Sequence, residues 1–126
     1  MKHLILLFSV FILLGCKTTE KQISISKNNY PKMNLKDLHK EDKAVQTKLL
    51  FEADEGKVVS LQIAAGEQLK EHLSKVPTIL ICVSGKAIYK QASGNVILEA
   101  GDYVMIPKDI KHEVNAITDS NFILIK

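Results

Sequence analysis

Residues 66–116 read GEQLKEHLSKVPTILICVSGKAIYKQASGNVILEAGDYVMIPKDIKHEVNA, and this stretch decides the fold of the chain. Short apolar runs alternate in it with turn signals, which are Gly66, Ser84-Gly85, Ser93-Gly94-Asn95 and Ala100-Gly101-Asp102. Runs of this length, separated by turns every eight to twelve residues, are typical of an all-β sandwich or barrel.

The same pattern continues on both sides of this stretch. Nine strands are predicted, at residues 45–51, 57–64, 68–74, 76–83, 86–90, 96–99, 103–106, 112–117 and 122–125. No run after Ala44 has the length and period of a ten-residue helix. Upstream, Asn34 can cap a single helical turn over residues 34–39.

The N-terminus has the layout of a secretion signal. A short basic start, Met1-Lys2-His3, precedes the eleven uncharged residues 4–14, LILLFSVFILL. That run is too short for a relaxed transmembrane helix but fits a signal peptide. It ends in Leu13-Leu14-Gly15-Cys16, which resembles the lipobox of bacterial lipoproteins. The resemblance implies cleavage after Gly15 and lipid on Cys16.

Three segments are therefore expected: a signal peptide (1–15), a lipidated polar tether (16–43) and a β domain (44–126). Lipid on Cys16 makes the membrane a partner and places the protein in a bacterial cell envelope. The absence of Asp at position 17 favours the outer membrane. His39 is expected to be solvated within the tether. Cys82 is left without a disulfide partner.

Composition argues against nucleic acid as a partner. All seventeen basic residues are Lys, and the formal net charge is only +3. Arg is the side chain best suited to planar, bidentate phosphate recognition. Nucleophile-elbow, phosphate-loop and Cys-x-x-Cys motifs are also missing, so no catalytic residue is assigned.

Two histidines occur at regular distances from glycines. Gly66 is followed after five residues by His72, and Gly101 after five residues by Pro107 and then His112. This spacing resembles the two motifs of the cupin superfamily. The resemblance extends from about Val45 to the last residue and implies a small jelly-roll barrel.

The resemblance also implies a metal site, but this sequence departs from it. Metal-binding cupins use three His and one Glu, and only His72 and His112 match. Ser74 stands at the position of another His. The position of the Glu is occupied by Thr78, or by Ile79 if the longer of the two motif spacings applies. Asp109 and Ala116 replace the Gly and Asn of the second motif. Two imidazoles are fewer than the three or four ligands of typical sites, although a divalent transition metal stays an alternative.

A ligand pocket is predicted from the residues expected to face the lumen, namely His72, Ser74, Thr78, Leu80, Cys82 and His112. Cys82 lies too far along its strand to complete a metal site with His72, and it is interpreted as a buried apolar thiol. The favoured function is non-catalytic binding of a small molecule. The alternatives are a metal-dependent oxygenase or isomerase using His72 and His112, and a structural scaffold that forms a homodimer.

Overall fold

The computed structural model describes Gly15 and residues 32–126. The predicted signal peptide, apart from Gly15, and the lipidation site Cys16 lie outside the described residues. Lys32–Lys126 form one compact unit. Within the part of the chain that is described, no helix is both long and apolar enough to cross a membrane. The predicted domain start at Ala44 stays a prediction.

The described residues form nine strands, as predicted. They are β1 (Val45–Ala53), β2 (Gly56–Ile63), β3 (Gln68–His72), β4 (Thr78–Ser84), β5 (Lys86–Gln91), β6 (Gly94–Glu99), β7 (Tyr103–Ile106), β8 (His112–Ala116) and β9 (Ser120–Ile125). The helical turn is also confirmed as a 3-10 helix over Leu35–Asp37. Its cap is Asn34, whose side chain accepts a hydrogen bond from the Lys36 amide.

The strands form two antiparallel sheets that face each other. The five-stranded sheet has the order β1-β2-β9-β4-β7, and the four-stranded sheet has the order β3-β8-β5-β6. Strands distant in sequence, such as β2 and β9, are neighbours, which is the arrangement of a jelly roll. The all-β prediction is confirmed.

The core lies between the two sheets, where alternate residues of each strand point inward. In β4, Thr78, Leu80 and Cys82 are buried, and the intervening residues are more exposed. Phe122, Leu61 and Ile63 are the largest fully buried side chains. Each fully buried side chain of this size contributes about 1.5–3 kcal/mol relative to an exposed one.

Turn glycines join these strands with the backbone conformation expected of them. Gly66, Gly85 and Gly101 have φ values of 77°, 88° and 93°, the left-handed region that glycine tolerates best. The hairpin between β5 and β6 turns at Ala92-Ser93, one residue earlier than predicted, because Gly94 already pairs with Gln91.

His39 is half-buried and contacts Ser60, whereas the sequence predicted a solvated side chain. Its Nε2 lies 2.7 Å from the hydroxyl oxygen of Ser60, which is fully buried on β2. Burial, together with the nearby charge of Lys48, lowers the pKa of His39. The prediction failed because this contact joins residues 21 positions apart, which no local pattern in the sequence indicates.

Candidate functional site

The two motif histidines meet between neighbouring strands. His72 at the end of β3 and His112 at the start of β8 are direct cross-strand partners. Their ring centroids are 4.3 Å apart, with the planes tilted by 59°. His112 is buried and His72 is exposed at the edge. Two imidazoles from separate strands therefore share one site, as the sequence predicted.

Backbone carbonyls fix the tautomer of both neutral rings. His72 Nδ1 lies 2.8 Å from the Lys70 carbonyl oxygen, and His112 Nδ1 lies 2.9 Å from that of Ile110. A carbonyl oxygen can only accept, so each Nδ1 must carry the hydrogen. In the neutral rings Nε2 then holds the lone pair, and it is the nitrogen available to a ligand.

Burial keeps His112 neutral. Desolvation lowers the pKa of His112 and outweighs the hydrogen bond to Ile110, while His72 adds a small repulsion. The ring of Tyr89 stacks beside that of His112, with centroids 5.7 Å apart, and its hydroxyl donates to Gln91 Oε1 at 2.9 Å. Desolvation raises the pKa of Tyr89, so its phenol stays protonated.

Two hydroxyls stand at the other motif positions and pair with each other. Ser74 Oγ and Thr78 Oγ1 are 3.1 Å apart, and Thr78 also donates to the Val76 carbonyl oxygen. The loop carrying Asp109 closes over this region, because the Asp109 amide donates to the Ser74 carbonyl oxygen at 2.7 Å. Asp109 has a φ of 61°, in the left-handed region that glycine, the residue of the motif at this position, tolerates best.

The two imidazoles and the two hydroxyls line a cavity of about 70 Å³. Five of the six predicted pocket residues are in its wall: His72, Ser74, Thr78, Leu80 and His112. The remaining wall is mostly apolar and consists of Leu69, Leu73, Ile106, Val114, Leu124 and Lys126.

Cys82 does not line the cavity, although it shares the inward face of β4 as predicted. Its Sγ lies 3.6 Å from the Ser84 carbonyl oxygen, at the other end of the strand. Desolvation, followed by the charge of Asp102, raises the pKa of this thiol. Cys82 is thus a buried, protonated thiol, which agrees with its interpretation as an apolar core residue.

The side chains present do not fit the metal centre that the motifs imply. Within residues 32–126 and Gly15, no three His, Cys, Asp or Glu side chains lie close enough together to hold an ion. Ser74 and Thr78 are already engaged with each other and supply no carboxylate or imidazole. A resident metal with three or four protein ligands is therefore not supported by this donor set.

A family model described as "Cupin domain" matches residues 59–125, which is more than half of the chain and includes both histidines. This chain belongs to the cupin family. The fold and the pairing of His72 with His112 agree with the resemblance read from the motifs. A search of curated proteins found no match.

Solved structures share the fold of this cupin. A cupin superfamily protein of Desulfitobacterium hafniense matches with a TM-score of 0.69 and 17% identity, over 78% of this chain and 90% of that chain. A cupin-like protein of Thermotoga maritima matches with a TM-score of 0.59 and 28% identity, over 65% and 67% of the two chains. KdgF from a Halomonas species matches with a TM-score of 0.62 and 20% identity, over 65% and 76%.

Sequence reasoning missed six residues of the cavity wall and also Tyr89, which stacks on His112. Tyr89 was given no role, yet it is the diagonal cross-strand neighbour of His112, since β5 pairs Gln91 with His112. The pairing of β5 with β8 would have revealed it. Lys126 follows β9, far from both motifs in sequence, and nothing in the motif spacing indicates that it lines the cavity.

Folding stability of the cupin is expected to fall as the pH falls from 7.5 to 5.5. The pKa values of His112 and His39 are lowered in the folded state from the ordinary 6.5. The unfolded chain therefore binds more protons in the window just below pH 6.5, and protonation favours unfolding. Urea unfolding at a series of pH values from 7.5 to 5.5 measures how the free energy of unfolding changes with pH. This range lies above the one in which Asp and Glu titrate.

Substitution of the two histidines provides the control for this slope. His112→Gln and His39→Gln remove the titrating groups, so each variant is expected to show a shallower pH dependence, whatever its absolute stability. A free energy of unfolding that stays constant, or rises, between pH 7.5 and 5.5 in the unsubstituted protein would contradict the assignment.

Proposed function

We propose that this cupin is a lipid-anchored, non-catalytic module of the bacterial cell envelope that binds a small organic molecule in the cavity beside the paired imidazoles of His72 and His112. The observation that carries the proposal is the pair of imidazoles at 4.3 Å, set in a largely apolar cavity without a third metal-ligating side chain among the described residues. A few polar groups converging in an apolar wall are typical of small-molecule sites.

The cavity limits the chemistry of the ligand. Its polar side chains are two imidazoles, two hydroxyls and one Lys, and no Asp or Glu side chain is among the described wall residues. Because His112 is kept neutral, its Nε2 is a hydrogen-bond acceptor. The best partner for it is a hydroxyl or another donor group. The ligand is thus a neutral or acidic compound with at least one such donor.

The cavity also limits the size of the ligand. A volume of about 70 Å³ is far below the roughly 300–1,000 Å³ of sites for drug-sized compounds. Only about two water molecules would fill it at the density of liquid water. The occupant is therefore a very small compound or one end of a larger one. The exposed position of His72 leaves the rest of a larger compound a route into solvent.

Anchoring is supported by the N-terminal sequence alone. Leu13-Leu14-Gly15-Cys16 follows an uncharged run of signal-peptide length. Two or more acyl chains on Cys16 would hold the protein at a membrane stably, since a single chain gives only marginal binding. The absence of Asp at position 17 favours the outer membrane.

Native mass spectrometry of the purified protein, with metal analysis of the same sample, tests the ligand proposal. We expect a small organic compound and no stoichiometric metal. If the compound is lost during purification, a screen of small hydroxy compounds by thermal shift replaces this step. Substituting His112→Ala is expected to weaken binding of the compound found about tenfold, as loss of one hydrogen bond to a buried group predicts.

His39→Ala is the matched control, because it removes an imidazole that lies outside the cavity. Its affinity for the compound should equal that of the unsubstituted protein. Stoichiometric metal without an organic ligand, or equal affinities in the His112→Ala and unsubstituted proteins, would refute the proposal.

A further inference from the structure

The cavity has two walls, and they carry different polar groups. The four-stranded sheet contributes the imidazoles of His72 and His112. The opposite wall contributes Thr78 of β4 and Lys126, which follows β9, together with aliphatic side chains. Packed sheets lie about 10 Å apart. A small molecule in the cavity can therefore contact polar groups of both walls at once.

Strand alternation directs the side chain of Lys126 towards the cavity. Leu124 of β9 lines the cavity and packs against the core, and Lys126, two positions later, lies on the same face. The Lys126 amide donates to the Lys57 carbonyl oxygen at 3.0 Å, and the Lys57 amide donates to the Lys126 carbonyl oxygen at 2.6 Å. These two hydrogen bonds fix the backbone from which the Lys126 side chain extends.

The charge of Lys126 has no acidic partner among the described residues. Lys57 is its cross-strand neighbour, and like charges placed directly opposite destabilise a sheet. Lys57 has Glu52 as its partner on the other side. The register of β4 with β9, continued by one residue, places the neutral Thr78 on the other side of Lys126. None of the ion pairs within residues 32–126 involves Lys126. This wall therefore favours an anionic occupant.

The opposite wall offers a hydrogen-bond acceptor. The Nδ1 of His112 donates to the Ile110 carbonyl oxygen, which leaves the lone pair on Nε2, and burial keeps the ring neutral. A carboxylate cannot donate to this nitrogen, whereas a hydroxyl can. A ligand that satisfies both walls therefore needs an anionic group and a hydroxyl.

We propose that the cavity binds a small hydroxy carboxylate, with its carboxylate at the Lys126 ammonium group and its hydroxyl at Nε2 of His112. This inference rests on the proposed binding function and narrows it to one class of acid. A cavity of about 70 Å³ holds only a short segment of carbon chain. The hydroxyl is therefore on the carbon next to the carboxylate or on the one after it.

Charge favours a carboxylate over a phosphate. Lys126 is the only Lys or Arg among the described wall residues, and its single charge balances one carboxylate. A phosphate monoester carries about −1.5 to −2 charges near pH 7 and three strong acceptor oxygens. The two hydroxyls of the wall, Ser74 and Thr78, are engaged with each other. The donors that a phosphate would need are therefore too few.

Equilibrium binding of three small probes to the full chain, followed by NMR titration, tests the inference. Glycolate carries both groups, acetate lacks the hydroxyl, and glycolamide keeps the size of glycolate but lacks its charge. We expect glycolate to bind about tenfold more tightly than either of the other two, because each of them loses one hydrogen bond to the cavity wall.

Substitutions at the two walls should remove these preferences separately. Lys126→Met removes the charge and should abolish the preference for glycolate over glycolamide, whereas Lys126→Arg should retain it. His112→Ala should abolish the preference for glycolate over acetate. Lys36→Met is the matched control, because it makes the same change of net charge at an exposed residue outside the cavity. It should leave all three affinities unchanged.

The outcomes separate this inference from the proposed function. Equal affinities for glycolate and glycolamide would overturn the inference and leave the proposed function standing, because a neutral compound would still bind beside the histidines. Inorganic phosphate that binds more tightly than glycolate would overturn the choice of a carboxylate. Failure of all three probes to bind would also overturn the inference, and the proposed function is then decided independently by native mass spectrometry.

Discussion

A Gly85→Ala variant is expected to lose about 4 kcal/mol or more of its free energy of unfolding, which exceeds the loss from most single substitutions. A Cβ at this position would lie 2.3 Å from the Asp119 carbonyl oxygen and 2.7 Å from the Ser120 Cα. Both are backbone atoms at the start of β9, which is held between β2 and β4. Relief of the contact therefore requires movement of the middle of the five-stranded sheet.

Gly101→Ala separates this close contact from the effect of backbone conformation. Gly101 has nearly the same φ, 93° against 88°, but an added Cβ there meets no atom within 4 Å. The Gly101→Ala variant should lose only about 1–2 kcal/mol of its free energy of unfolding, which is the cost of a left-handed conformation for Ala. Urea unfolding of both variants measures the difference. Equal losses would show that φ alone, and no steric contact, makes Gly85 necessary.

These two glycines illustrate how much of the fold the sequence could predict. The position of a turn depends on local chemistry, so Gly85 and Gly101 mark strand ends correctly. The alternation of buried and more exposed residues along a strand is also local, and in β4 it identifies the inward face. Strand order is different, because β2 and β9 pair across more than fifty residues. Only the resemblance to cupins, and no local pattern, predicted that these distant strands form one jelly roll.

The candidate site likewise contains residues that sequence motifs identify and residues that they do not. His72 and His112 were identified because they stand at fixed distances from motif glycines. Cys82 was added because it shares a strand face with Leu80, but alternation indicates the face of a residue and not its position along the barrel. Tyr89 stacks on His112 because β5 pairs with β8, and Lys126 lines the cavity although it is far from both motifs in sequence, so no local pattern signalled either residue.

The N-terminal segment was predicted from its resemblance to a lipobox, and the covalent chemistry that this resemblance implies does not depend on the fold. A signal peptidase that cleaves before a lipidated Cys requires a small residue there, and Gly15 provides one. The proposed lipid would be attached to the thiol sulfur of Cys16, so an oxygen at this position could not replace it.

A Cys16→Ser variant is accordingly expected to lose membrane association almost completely. The unsubstituted protein should sediment with membranes, and its mature N-terminus should carry two or more acyl chains, each methylene adding about 0.8 kcal/mol to binding. Cell fractionation and intact-mass measurement check both points. Cys82→Ala is the matched control, since its buried thiol is far from any lipid-processing step, and it should stay in the membrane fraction. Recovery of Cys16→Ser protein with membranes, or a lipid-free mass for the unsubstituted protein, would contradict lipid anchoring through Cys16.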